Sequence, residues 1–100
     1  VAALAATTNT TVYTVPAGKV ATFNIRATNR GSTAVDVRIA VAAADTPTNA
    51  EWIEYDVRIE PNSPLGNTGI RAGAGERVVA WSSAAQVSIR VEGYEQEAGA

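Results

Sequence analysis

The chain has 100 residues, 8 basic and 10 acidic side chains, a formal net charge of −2, and no Cys, His or Met. This excludes disulfides, the usual Cys/His zinc site and any nucleophile–histidine couple. The near-even charge argues against nucleic acid held on a basic face, and no run of about 18 apolar residues occurs that could cross a membrane as a helix.

Residues 1–11 are small and uncharged and read as an extended amino-terminal arm or a first strand, with Ala3 to Thr8 the candidate strand. Thr11 to Val15 is β-branched and aromatic, a favourable strand composition. Val15-Pro16-Ala17-Gly18 reads as a type I turn, with proline presetting φ and glycine at the exit. From Val20 to Thr28, Ala21, Phe23, Ile25 and Ala27 share one face while Thr22, Asn24, Arg26 and Thr28 share the other. Asn29-Arg30-Gly31-Ser32-Thr33 is expected to be a hairpin loop, with Gly31 free to take positive φ. In Ala34 to Ala42, Val35, Val37, Ile39 and Val41 alternate with Asp36 and Arg38.

Ala43 to Glu51 is the longest connection, and its polar, Pro-containing composition suits a surface excursion with a binding role. Trp52 to Glu60 alternates again, with Ile53, Tyr55, Val57 and Ile59 expected inside and Glu54, Asp56, Arg58 and Glu60 outside. Pro61 to Pro64 ends that strand, Leu65 to Ile70 and Arg77 to Trp81 are short strands, and Ala72 to Gly75 is a flexible corner between them. In Gln86 to Tyr94, Val87, Ile89 and Val91 alternate with Ser88, Arg90 and Glu92. Period-2 alternation marks half-buried antiparallel strands. About seven or eight of them give an all-β antiparallel sandwich, jelly-roll or immunoglobulin-like. The domain is expected over 12–95, with a flexible tail over 96–100. Its core is Phe23, Ile25, Val35, Val37, Ile39, Val41, Ile53, Tyr55, Val57, Ile59, Val79, Trp81, Val87, Ile89 and Val91.

The chemistry-bearing residues have ordinary explanations beside the sharper ones. Glu51 or Glu54 with Asp56 is a candidate hydrolytic carboxylate pair, but Arg58 and the strand pattern favour a solvated, ion-paired face. Asp45, Asn49 and Glu51 offer oxygen ligands for Ca²⁺ without the spacing of a calcium loop. Trp52, Tyr55, Trp81, Tyr13 and Tyr94 are a candidate sugar-stacking set, although alternation assigns Tyr55 and Trp81 to the core. No catalytic residue, metal or cofactor is assigned. A small domain without disulfide or metal gains from docking on another surface. Val1, Ala2, Leu4, Thr7 and Thr8 of the arm, with Asp45, Thr46, Asn49 and Trp52, are therefore the candidate partner-binding residues.

From Tyr13 to Glu95 the chain resembles small β-sandwich virion proteins of tailed bacteriophages. The resemblance is carried by Tyr13-Thr14-Val15-Pro16-Ala17-Gly18-Lys19, Ala27-Thr28-Asn29-Arg30-Gly31-Ser32-Thr33-Ala34, Ile53-Glu54-Tyr55-Asp56-Val57-Arg58-Ile59, Gly69-Ile70-Arg71-Ala72-Gly73-Ala74-Gly75-Glu76 and Trp81-Ser82-Ser83-Ala84-Ala85-Gln86-Val87-Ser88-Ile89 in that order. It implies a non-enzymatic virion structural protein. The expected form is a decoration or cement protein on the outer capsid surface, bound to the major capsid protein as a homo-oligomer, with a trimer favoured. The alternative is a tail or fibre module contacting host glycans through Trp52 and Tyr94. Neither nucleic acid nor membrane is an expected partner.

Overall fold

A computed structural model describes residues 2–97; Val1 and residues 98–100 lie outside the described residues. The strands are β1 (Ala2–Ala3), β2 (Thr10–Thr14), β3 (Lys19–Asn29), β4 (Val35–Ala42), β5 (Trp52–Ile59), β6 (Pro64–Ala72), β7 (Arg77–Ser82) and β8 (Val87–Glu97), with one 3₁₀ turn at Asn49–Glu51 before β5. They form two four-stranded sheets, one in the order β1-β8-β3-β6 and the other β2-β7-β4-β5.

Every named strand pair is antiparallel, and β1 pairs with β8, β2 with β7, β3 with β6 and β4 with β5. First-with-last pairing, nested inward, is the winding of a jelly roll. It settles the choice left open between that fold and an immunoglobulin-like one. It also means that β3 and β4 lie in different sheets, so residues 29–33 form a crossover between sheets and not the expected hairpin. Gly31 is not among the positive-φ glycines. What its missing Cβ provides is room, since an added Cβ would sit 2.2 Å from the Gln86 side chain.

The expected alternation holds in β3, β4 and the first half of β8. Ala21, Phe23, Ile25 and Ala27 face Val35, Val37 and Ile39 across the sandwich, with Val87 and Ile89 beside them, all buried. Ile59, Val78, Ala80 and Ala72 complete that layer. Leu4 joins it at 2 % exposure, and Leu4 N–H donates to the Val87 carbonyl at 2.9 Å. The expected tail boundary at residue 96 falls inside β8, where Val20 pairs with Gln96 and Lys19 with Glu97. The connection between β2 and β3 is a turn in which Lys19 N–H donates to the Pro16 carbonyl at 3.2 Å. Gly18, at φ 76°, occupies its third position. That is a type II turn, in place of the expected type I.

In β5 the expected pattern breaks. Val57 opposes Val37, but the next partner of β4 is Glu54 opposite Ile39, and then Trp52 opposite Ala40. Extra residues at 55–56 and at 53 bulge out of the ladder, and Asp56 takes φ 52°. A bulge resets which side chains point inward. Ile53 and Tyr55, expected in the core, are therefore 43 % and 56 % exposed. Glu54, expected outside, instead accepts a hydrogen bond from Asn67 of β6 at 3.0 Å.

Candidate docking surface

The outer face of the β2-β7-β4-β5 sheet carries most of the chain's organised side-chain chemistry. Arg38 projects there from β4, opposite Trp81 of β7. Its guanidinium carbon lies 4.1 Å from the Trp81 ring centroid and 4.3 Å from that of Tyr55, so the cation contacts both rings. Asp56 fixes it by two-point pairing, Nε to Oδ1 at 2.6 Å and Nη2 to Oδ2 at 3.3 Å. The Asp56 hydrogen bond holds the Arg38 pKa above its ordinary value. Trp52 meets the Tyr55 ring edge to face, with centroids 5.6 Å apart. Trp81, expected in the core, is thus half-buried on the outer face. The registers that pair Val37, Ile39 and Val41 with Ser82, Ala80 and Val78 leave it no inward position.

Next to this cluster the connection 43–51 folds back over the sheet. Ala40, Ala42 and Val79 are fully buried on this outer face, with Trp52 packed against them. Asp45 anchors the connection, accepting from Thr11 Oγ1 at 2.6 Å and Arg77 Nη1 at 3.0 Å. The Thr11 bond, then Arg77, lower its pKa. Glu51 closes the turn, its two oxygens accepting from the backbone N–H of Thr48 at 2.8 Å and of Ala43 at 3.0 Å. Those backbone donors hold its carboxyl below the ordinary value.

The structure divides the candidate partner-binding residues. Asp45 and Trp52 share this outer face, with Thr46 and Asn49 exposed on the connection beside them. Thr7 and Thr8 are exposed at the other end of β7, where Thr7 N–H donates to the Ser82 carbonyl and both hydroxyls bond to the Ala6 carbonyl. Ala2 lies in β1 against Ile89. Leu4 is core, not docking surface, because it fills the gap between β8 and the opposite sheet. Val1 lies outside the described residues. Arg38 and Ile53 were not among the candidates, and Tyr55 and Trp81 entered only as sugar-stacking candidates that alternation assigned to the core. Tyr55 turns outward through the β5 bulges and Trp81 through the β4–β7 register, neither of which period-2 patterning marks.

The other candidate chemistries come apart. Glu54, Glu51 and Asp56 are each committed to a different partner, respectively Asn67, two backbone amides and Arg38. Asp45 and Glu51 are not brought onto a common centre, and the described residues contain no group of three His, Cys, Asp or Glu able to hold a metal ion. Tyr94, 59 % exposed, is on β8 in the opposite sheet from Trp52, so the two do not share one sheet face. Comparison of the chain with family models, with curated proteins and with solved structures finds no match.

Proposed function

We propose that this chain is a non-enzymatic virion structural protein, a decoration protein that docks on the major capsid lattice through the outer face of its β2-β7-β4-β5 sheet. The observation that carries the reading is the exposed Tyr55 ring, held beside Trp52 and Trp81 by the Arg38–Asp56 clamp, with Ile53 exposed next to Trp52 in the chain. Tryptophan, tyrosine and arginine are the residue types that dominate binding energy at protein interfaces. Here they are fixed in place before any partner arrives, which lowers the ordering cost of association. The resemblance of residues 13–95 to phage virion proteins names the partner class. A jelly roll, a fold that recurs in capsid proteins, is compatible with it as a matter of analogy. Homo-oligomerisation, with three copies about a lattice axis, is part of the same proposal.

The test mixes purified protein with capsids assembled without it. Saturable, stoichiometric binding is expected, weakened at least tenfold by the double substitution Ile53→Ser and Tyr55→Ala with the unfolding midpoint little changed. Absence of saturable binding overturns the reading. Antibody labelling of intact virions separates capsid from tail, since signal confined to the tail transfers the docking face to the tail-module alternative.

A further inference from the structure

The outer face of the β1-β8-β3-β6 sheet holds a charge arrangement that the fold does not need. Arg26 of β3 stands directly opposite Arg90 of β8, and like charges directly opposite on one sheet face are destabilising. Arg90 is ion-paired along its own strand with Glu92, Nε to Oε1 at 3.0 Å. Among the described residues no acidic side chain pairs with Arg26. Its neighbour on the other side is Gly66 of β6, which has no side chain to cover it.

A hollow of about 430 Å³ lies over this pair, with Asn24, Gly66, Asn67, Thr68 and Glu92 around the two arginines. Its volume is within the ~300–1,000 Å³ of small-molecule sites. Bonds made elsewhere orient the amides on its walls. Asn24 Oδ1 accepts from Gly69 N–H at 3.1 Å, so Nδ2 is left to donate. Asn67 Nδ2 donates to Glu54 Oε2 at 3.0 Å, so Oδ1 is left to accept. Arg90 and Glu92 cancel, and Arg26 leaves the hollow with a net positive charge. Arg71, opposite Thr22 on the same face, adds to it, whereas Glu54 bonds Asn67 but does not line the hollow. Neither end of the described chain leads in. Ala2 pairs on the side of β8 away from β3, and Glu97 lies opposite Lys19 at the far end of the strand.

We propose that this hollow is a binding site for a carboxylate-bearing sugar, a hexuronate residue of an acidic glycan. The carboxylate sits between Arg26 and Arg90. There it relieves the repulsion of the two guanidiniums and takes the two-point hydrogen bonding that arginine offers. It competes with Glu92 for Arg90. Ring hydroxyls both donate and accept, and they meet Asn24 Nδ2, Asn67 Oδ1 and the Thr68 hydroxyl. A peptide carboxylate would satisfy Arg26 alone. The amide and hydroxyl groups around that cation, with no aromatic wall for a peptide side chain, favour the sugar. The proposal does not depend on the outer face of β5.

The probe is a disaccharide of glucuronate and glucose, added to the full chain and followed by backbone amide chemical shifts. Its neutral twin has the carboxylate reduced to a hydroxymethyl group. Acetate and an end-blocked glutamate tripeptide supply the carboxylate without the sugar. The uronate is expected to shift Asn24, Arg26, Thr68 and Arg90 saturably at millimolar concentration. The other three ligands are expected to bind about tenfold more weakly or worse. Arg26→Gln should weaken the uronate by about the same factor, with the urea midpoint unchanged or raised because a repulsion is removed. Glu92→Gln, which frees Arg90, should tighten it. Equal binding of acetate or the tripeptide means a bare anion contact and overturns the proposal. So does equal binding of the neutral twin, weaker binding by Glu92→Gln, a lowered urea midpoint in Arg26→Gln, or no saturable shift at millimolar uronate.

Discussion

At single residues the fold depends most sharply on Asn29 and Gly93. Asn29 is fully buried, and its amide is completely used. Nδ2 donates to the carbonyls of Thr33, Ile59 and Glu60 at 2.8, 3.1 and 3.3 Å, while Oδ1 accepts from Gly31 N–H and Gln86 Nε2 at 2.9 and 3.0 Å. One side chain thus joins the ends of β3 and β5 to the connections before β4 and β8. Asn29→Asp keeps the acceptor but turns a carboxylate oxygen toward three carbonyls. It is expected to cost about 3 kcal/mol or more at neutral pH. The loss should shrink in acid, where a protonated carboxyl regains a donor, and urea unfolding at pH 7 and pH 4 checks both points. Gly93→Ala forces β8 away from β3 and is expected to cost roughly 1–3 kcal/mol, read as a lower urea midpoint. Tyr13 adds a pH signature. Burial, then its hydrogen bond to Glu95 and that carboxylate's charge, push its pKa up to about 12 from 10.0. The folded state therefore holds this proton more tightly than the unfolded chain. The stability linked to it is complete below pH 10 and is lost as pH rises toward 12. Tyr13→Phe should flatten that part of the alkaline unfolding profile.

Among the elements, β5 and the connection before it show what a sequence pattern carries and what it omits. Strict alternation across Ile53, Tyr55, Val57 and Ile59 fits an unbroken strand, and nothing in those residue types announces two bulges. The half after Asp56 obeys the pattern and the half before it does not. β3, β4 and the start of β8 were legible because each has a central neighbour, β3 with β8 and β4 with β7, that pairs without a register shift. Which strands pair, and the crossover at residues 29–33, depend on long-range winding that period-2 patterning does not encode. The docking face was half legible. Trp52 and Asp45 stood out by position, but Tyr55 and Trp81 looked like core until the bulge and the β4–β7 register turned them outward. The bulge itself is testable. Asp56 adopts φ 52°, which costs a β-branched residue far more than asparagine. Asp56→Val is therefore expected to be about 1–2 kcal/mol less stable than Asp56→Asn, although both lose the Arg38 pair. The connection carries its own acid sensitivity. The carboxyls of Asp45 and Glu51 are held below their ordinary values by the bonds they accept. Their contribution is present above the unfolded carboxylate range near ~4 and is lost as pH falls through the lower folded values. Glu51→Ala should lower the unfolding midpoint at pH 7, and the difference from the parent should close in stronger acid.

Across the whole molecule, jelly-roll winding places the first strand beside the last, so the domain is closed by the shortest of its strands. β1 contributes two residues to the ladder, and most of its hold comes from Leu4 behind it and from the parallel bridge between Ala6 and Ser82. The arm therefore touches both sheets, β8 through Ala2 and Ala3 and β7 through Ala6. Deleting a buried leucine side chain costs about 2–5 kcal/mol. Set against the ~5–15 kcal/mol that holds a typical domain, that is a large share. Leu4→Ala is expected to lower the urea midpoint by that energy with the slope of the transition unchanged, because the rest of the core still unfolds as one unit. Removing residues 1–6 goes further. It takes away Leu4 and also bares the β8 edge at Ser88 and Ile89. An uncovered apolar edge strand is a template for association between copies. The truncated chain is expected to unfold at lower urea and to self-associate in sedimentation velocity at concentrations where Leu4→Ala, with its arm backbone still in place, remains unassociated. If both variants associate alike, the arm closes the domain through Leu4 packing alone and its backbone pairing contributes nothing.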